Sequence, residues 1–163
     1  DKVFFNSGPI HASIVMSRIF KYSNNIIRIF SGGFNGTVSN DKEYLYYLES
    51  FLKKGGKLKI LVEDYNSNSK SKIYEILKQP KYINQIEIKQ TSSRVNSVDI
   101  DTKETNPIHF TIGDENSIRI ETNPKNYTAE VNFKSNDAKI LIEIFENIFE
   151  QDNSKKLNLV IAA

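Results

Sequence analysis

The stretch PIHFTIGDENSIRIETNPKNYTAEVNF, Pro107 to Phe133, holds the most informative polar residues of the chain. Read as a strand with a period of two, Ile108 to Ile112 places His109 and Thr111 on one face and Ile108, Phe110 and Ile112 on the other. Gly113-Asp114-Glu115-Asn116 has the composition of a tight turn, so Ser117 to Glu121 is predicted to return antiparallel. Ile118 and Ile120 then join the apolar face, and Ser117, Arg119 and Glu121 the polar one. A histidine, an arginine and a carboxylate share one surface in that arrangement. An ordinary half-exposed hairpin has the same pattern, because antiparallel sheets commonly keep one face in water. Asn123-Pro124-Lys125-Asn126 reads as the next turn and Ala129 to Phe133 as the next strand.

Working outward, Asn136 is placed to cap a final helix, Asp137 to Glu150, whose Ile140, Leu141, Ile144, Phe145, Ile148 and Phe149 form the broadest apolar stripe in the chain. On the N-terminal side, Ser7 and Pro9 open a helix running to Tyr22, with His11 in its first turn. Ile26 to Phe30 is a nearly continuous apolar run, as expected of a central strand buried on both sides. The glycine-rich turn Ser31 to Thr37 follows it, and Gly33 there is a candidate for backbone contact with a phosphate. A capping box at Asn40 and Glu43 starts a helix stopped by Gly55-Gly56. Lys57 to Glu63 is a second strand, with Glu63 and Asp64 at the carboxyl edge where open α/β sheets bind ligands. Strand, helix, strand in this order implies a right-handed parallel crossover. A short helix from Ser71 to Gln79 and a third strand at Ile86 to Lys89 lead into a long polar loop, Thr91 to Asn106. The apolar tail, Leu157 to Ala163, is a candidate edge strand or contact for a partner.

At 163 residues the chain is expected to form one domain, 1–163, either alone or within a longer protein, since it opens on Asp1 rather than methionine. It has no cysteine, which removes disulfides and thiolate metal sites and is compatible with the cytoplasm, the favoured compartment, as well as with export. The 22 basic and 20 acidic residues nearly cancel, which argues against a long phosphate-tracking surface while leaving room for a local basic patch. No apolar run is long enough to span a membrane, and neither a metal nor a cofactor is expected.

The order of elements, with a lone histidine on the hairpin, resembles one half of the phospholipase D-like superfamily. That family's motif is His-x-Lys-x4-Asp, followed by Gly-Ser-x-Asn, often continuing Asn-Phe-Thr, and then an acidic position on the next strand. His109 falls on the histidine, Asn126-Tyr127-Thr128 on Asn-Phe-Thr, and Glu130 on the acidic position. Thr111 stands at the lysine position, Asn116 at the aspartate position and Asn123-Pro124 at Gly-Ser, so the motif is degenerate.

The resemblance implies an α/β fold, a mixed sheet with helices on both faces. It also implies a metal-independent phosphodiesterase chemistry in which histidine attacks phosphorus, lysine and asparagine hold the phosphate, and short members complete the site as a homodimer. On that pattern the catalytic set is His109, Asn126 and Glu130, and the ligand-binding set is Thr111, Asn116, Arg119, Lys125 and Gly33. Losing one preorganised cation costs about 10²–10³ in rate in comparable sites. Thr111 offers only a neutral hydroxyl, and Arg119 or Lys125 are the candidates to replace the ammonium. The expectation is therefore a non-catalytic module that binds a nucleotide, a nucleic acid end or a protein partner. The alternatives are a phosphodiesterase or nuclease using His109 in a homodimer, and a plain nucleotide-binding domain using Gly32 to Gly36 and Glu63.

Overall fold

The apolar runs of the sequence become strands of one sheet. A computed structural model of the chain describes residues 2–34, 36–66, 70–98, 101–151, 153–157 and 159. The first half alternates: β1 (Phe4–Asn6), α1 (Pro9–Tyr22), β2 (Ile26–Ser31), α2 (Lys42–Lys53), β3 (Lys57–Val62), α3 (Ile73–Leu77) and β4 (Ile86–Gln90). The second half is mostly antiparallel: β5 (Asn96–Val98), β6 (Thr105–Pro107), β7 (His109–Gly113), β8 (Ser117–Asn123) and β9 (Thr128–Asn132), then α4 (Ala138–Phe149) and β10 (Lys155–Lys156). Eight strands form a mixed sheet in the order β1-β9-β8-β7-β2-β3-β4-β10, and β5 and β6 make a separate small hairpin. β2, β3 and β4 run parallel, and β7 pairs antiparallel with β2, so the hairpin of interest lies at the centre of the sheet.

The two faces have separate cores. On one, α1, α2 and α3 bury Ile19, Phe20, Leu48 and Phe51 against Ile29, Ile60 and Val131. On the other, α4 buries Phe145 and Phe149 against Phe30, Phe110 and Ile112. Glu146 of α4 meets Arg28 and Lys59, which sit side by side on β2 and β3, each at 2.7 Å. Lys89 on β4 donates to the Phe149 carbonyl at the end of the same helix, where exposed carbonyls attract cations.

Several local expectations change. Gly8, with φ of 78°, rather than Ser7 precedes α1, and the Ser7 carbonyl instead accepts from Nδ1 of His11 at 2.9 Å. Asp41 rather than Asn40 caps α2, accepting from the amides of Glu43 and Tyr44. The Asn40 side chain reaches across to the amide of Lys72 at 2.7 Å, fastening the approach to α3. The Ser13 hydroxyl and those α2 amides hold the Asp41 carboxyl below its usual range. At α4 no side chain caps the first turn, and Ser135 rather than Asn136 accepts from the Asp137 amide. Helix α3 is limited to Ile73–Leu77, and the loop after β4 contains the β5–β6 hairpin. β1 pairs antiparallel with β9; its three residues are too few to carry a period of two in the sequence. Among the described residues the edge strand near the C-terminus is Lys155–Lys156, paired with β4; of the apolar tail expected from Leu157 to Ala163, residues 158 and 160–163 lie outside the described residues. Among the described residues, no helix is long and apolar enough to cross a membrane.

Candidate ligand pocket around His109

The hairpin is not half-exposed. Thr111, Arg119 and Glu121 are 4%, 6% and 8% exposed, because β7 and β8 have neighbours on both sides and α1 lies across their polar face. Register places His109 opposite Glu121 and Thr111 opposite Arg119. The period of two thus brings all four side chains to the α1 face of the sheet. They line a cavity of about 420 Å³ whose walls also include Met16, Phe30, Phe34, Tyr44 and Tyr127.

His109 sits between two carboxylates. Its Nε2 lies 3.3 Å from Oε2 of Glu63, and its Nδ1 lies 3.6 Å from Oε2 of Glu121. The first separation allows a hydrogen bond; the second is too long for one and acts through charge. Burial on its own pushes the imidazole pKa down, but Glu121 and Glu63 together outweigh it, so the net shift is upward from 6.5. Gly32, at the carboxyl end of β2, makes room for this ring: a Cβ there would stand 2.8 Å from Cε1 of His109.

Arg119 is the buried cation of the site. Its Nη2 donates to Oε1 of Glu121 at 2.8 Å and reaches the Tyr127 carbonyl at 3.4 Å, while Nε has no acceptor among the described residues. Tyr44 reaches the same cavity from α2. Burial raises its phenol far above the ordinary range, against the opposing pull of the Arg119 charge, so it stays a neutral donor and acceptor. Glu121 is thus matched to Arg119, while Glu63 faces the imidazole.

The structure brings His109, Thr111, Arg119 and Gly33 to the cavity and leaves the remaining sequence candidates outside it. Glu130 is exposed and on the other face, because Ala129 and Val131 take the inward positions of β9. Asn126 is exposed in the β8–β9 turn, where its carbonyl accepts from the Gly8 amide at 3.0 Å. Lys125 is exposed in the same turn, and Pro124 and Tyr127 face the cavity in its place. Asn116 lies past the far end of β7 and accepts from the Ser135 amide through its carbonyl. The Gly33 amide donates to the Ser31 hydroxyl at 3.2 Å, so the turn closes on itself instead of presenting that amide to an anion. Glu63 and Glu121 join the site, the one expected at the carboxyl edge of its strand and the other on the polar face of the hairpin, and so do Tyr44 and Tyr127, to which the sequence assigned no ligand role. Strand alternation around His109 signals Glu121, and the carboxyl-edge rule signals Glu63. Tyr44 reads only as a core position of an amphipathic helix. Among the described residues no group of carboxylates and histidines has the geometry of a metal site.

The sequence matches no model of a known protein family, and no curated protein matches it. Its architecture does match solved structures. Nuc from Salmonella typhimurium, a phospholipase D family member, superposes with a TM-score of 0.62 at 14% identity over 96% of this chain and 98% of that one. NucT from Helicobacter pylori gives 0.64 at 10% identity over 96% and 99%. TrmBL2, an archaeal chromatin protein described by its mode of DNA binding, gives 0.66 at 17% identity, with 96% of this chain spanning 54% of that chain. The fold is phospholipase D-like, a mixed sheet with helices on both faces.

Proposed function

We propose that this domain is a non-catalytic phospholipase D-like binding module, and that the cavity beside His109 takes the nucleoside part of a nucleotide or of a nucleic acid end. The observation that carries this is the enclosure of His109 between Glu63 and Glu121. A nucleophilic imidazole needs a free lone pair directed at phosphorus. Here Nε2 faces one carboxylate and Nδ1 another, so both ring nitrogens are directed at groups of the protein itself rather than at a substrate phosphorus. The second support is charge. Thr111 stands where an ammonium would neutralise developing phosphoryl charge, and Arg119 is matched by Glu121. A cavity whose arginine is already matched favours an uncharged polar group over a phosphate.

The walls suit such a group. Phe34 and Tyr127 offer rings, Thr111, Ser31 and Tyr44 offer hydroxyls, and the volume falls within the range of small-molecule sites. The DNA-binding description of TrmBL2 is consistent with a nucleic acid ligand.

Two measurements test this. Calorimetric titration with nucleosides, mononucleotides and short oligonucleotides is expected to give binding that Arg119→Met abolishes. Incubation with a chromogenic phosphodiester and with single-stranded DNA, in the presence of chelator, is expected to give no turnover dependent on His109. Turnover lost in His109→Ala would overturn the proposal in favour of a phosphodiesterase. Such an enzyme would bring two copies of His109 together in a homodimer.

A further inference from the structure

A second surface, away from the pocket, carries charge and aromatic rings in a pattern that the whole-chain composition hides. We infer that the outer faces of α1 and α2 bind single-stranded nucleic acid, with bases stacking on tyrosine rings and phosphates held by lysines. Lys21, in the last turn of α1, has its Nζ 5.5 Å from the centre of the Tyr22 ring and 5.6 Å from that of Tyr47 on α2. Tyr47 in turn meets the Tyr46 ring at 5.1 Å, nearly edge-on. Lys54 donates to the Lys21 carbonyl at 3.4 Å, which joins a second cation to the same patch. Tyr22 and Tyr46 are 60% and 65% exposed, which leaves much of each side chain to solvent. Rings and cations together are what strand binding needs, because any unpaired base has a face to stack and every nucleotide adds a phosphate.

Charge complementarity favours this occupant. Helix α1 has no acidic residue. Along the two helices and Lys54, Arg18, Lys21, Lys42 and Lys54 stand against Glu43, since Lys53 is paired with Glu49. Glu49 is turned to Lys53, Lys81 and Tyr82, which leaves Glu43 as the carboxylate nearest the rings in sequence. The surface is therefore basic on a chain whose charges otherwise nearly cancel. A rigid duplex hides its base faces and would gain nothing from the rings. The exposed aliphatic residues of α1, Ile10 and Ile14, lie toward its opposite end, so a lipid surface would have to be engaged there rather than at the tyrosines.

The test is fluorescence anisotropy with labelled single-stranded oligonucleotides of mixed sequence, with the matching duplex, and with vesicles containing anionic lipid. The full chain is compared with Lys21→Glu/Lys54→Glu and with Tyr22→Ala/Tyr46→Ala. Single strands are expected to bind, more tightly than the duplex. The charge-reversed pair should weaken binding at least ten-fold and lower the salt slope by about 1.4, since each neutralised phosphate contributes about 0.7 for single strands. The tyrosine pair should weaken binding about ten-fold per ring with the salt slope unchanged. An excess of unlabelled nucleoside, which occupies the pocket on the reading above, is expected to leave this binding intact, which separates the surface from the pocket. Equal affinity for duplex, insensitivity to either pair, or binding confined to vesicles would overturn the inference. All four substituted residues are at the surface, and circular dichroism checks that both variants remain folded.

Discussion

Replacing Gly32 by alanine tests the packing that holds His109. The added Cβ would lie 2.8 Å from Cε1 and 3.1 Å from Nε2 of His109, against an ordinary contact of at least 3.4 Å. The ring must then retreat by about 0.6 Å, the difference between 3.4 and 2.8 Å. Its bond to Glu63 is already 3.3 Å long, so the same retreat carries it past hydrogen-bonding range. Overpacking of this kind costs about 1–3 kcal/mol. The more specific consequence is electrostatic. With Glu63 lost as a partner, burial regains weight and the imidazole pKa should fall from its raised value. Glu63→Gln should lower it too, but without the steric penalty, so the pair separates crowding from charge. Nuclear magnetic resonance of the imidazole carbon-bound protons against pH measures this directly, with His11 as the other histidine signal. The reasoning is refuted if wild-type His109 titrates at or below 6.5, or if Gly32→Ala and wild type titrate together.

The same shift makes stability depend on pH. Because the folded pKa of His109 lies above its ordinary value, the pairing with Glu121 and Glu63 stabilises the fold fully below that ordinary value and is lost as pH rises through the folded one. His109→Gln should therefore cost more in urea unfolding at about pH 5.5 than at about pH 8.5, and an equal cost at both would contradict the sign. Glu146→Gln strips the counter-charge from Arg28 and Lys59. With Glu146 29% exposed, the cost should be about 1–3 kcal/mol, less than for a fully buried pair, measured by chemical denaturation. The Asp114 carboxylate accepts from the amides of Asn24, Asn25 and Ile26 while its own φ is 51°. Asp114→Ala should lower stability by about 1–3 kcal/mol, and Asp114→Asn by less, since asparagine keeps an acceptor and tolerates the left-handed backbone. Thermal unfolding that ranks the two variants the other way would remove that account.

Periodicity alone carried the core elements. Alternation in Ile108–Ile112 and the helical stripes at Pro9–Tyr22 and Ala138–Phe149 come from side-chain direction, which is local. The resemblance carried the fold further, because it rested on the order of whole elements rather than on identity at each motif position. Caps were harder to place: Asn40 and Asp41 are adjacent and both competent, and contact with Lys72 in the next segment decided which was free to cap.

What the sequence by itself determined is that His109, Thr111, Arg119 and Glu121 share one face, since a strand period of two leaves no other arrangement once the hairpin forms. Only the tertiary structure decided what that face is. The insertion of β7 between β8 and β2 buried it under α1, and the parallel β2–β3 pair brought Glu63 to the histidine from 46 residues away. The same alternation, continued into β9 through a turn whose register shifts between Glu121 and Asn123, turned Ala129 inward and Glu130 out. Charge partners and burial are set by distances through space, and these follow from sheet order and register rather than from spacing along the chain.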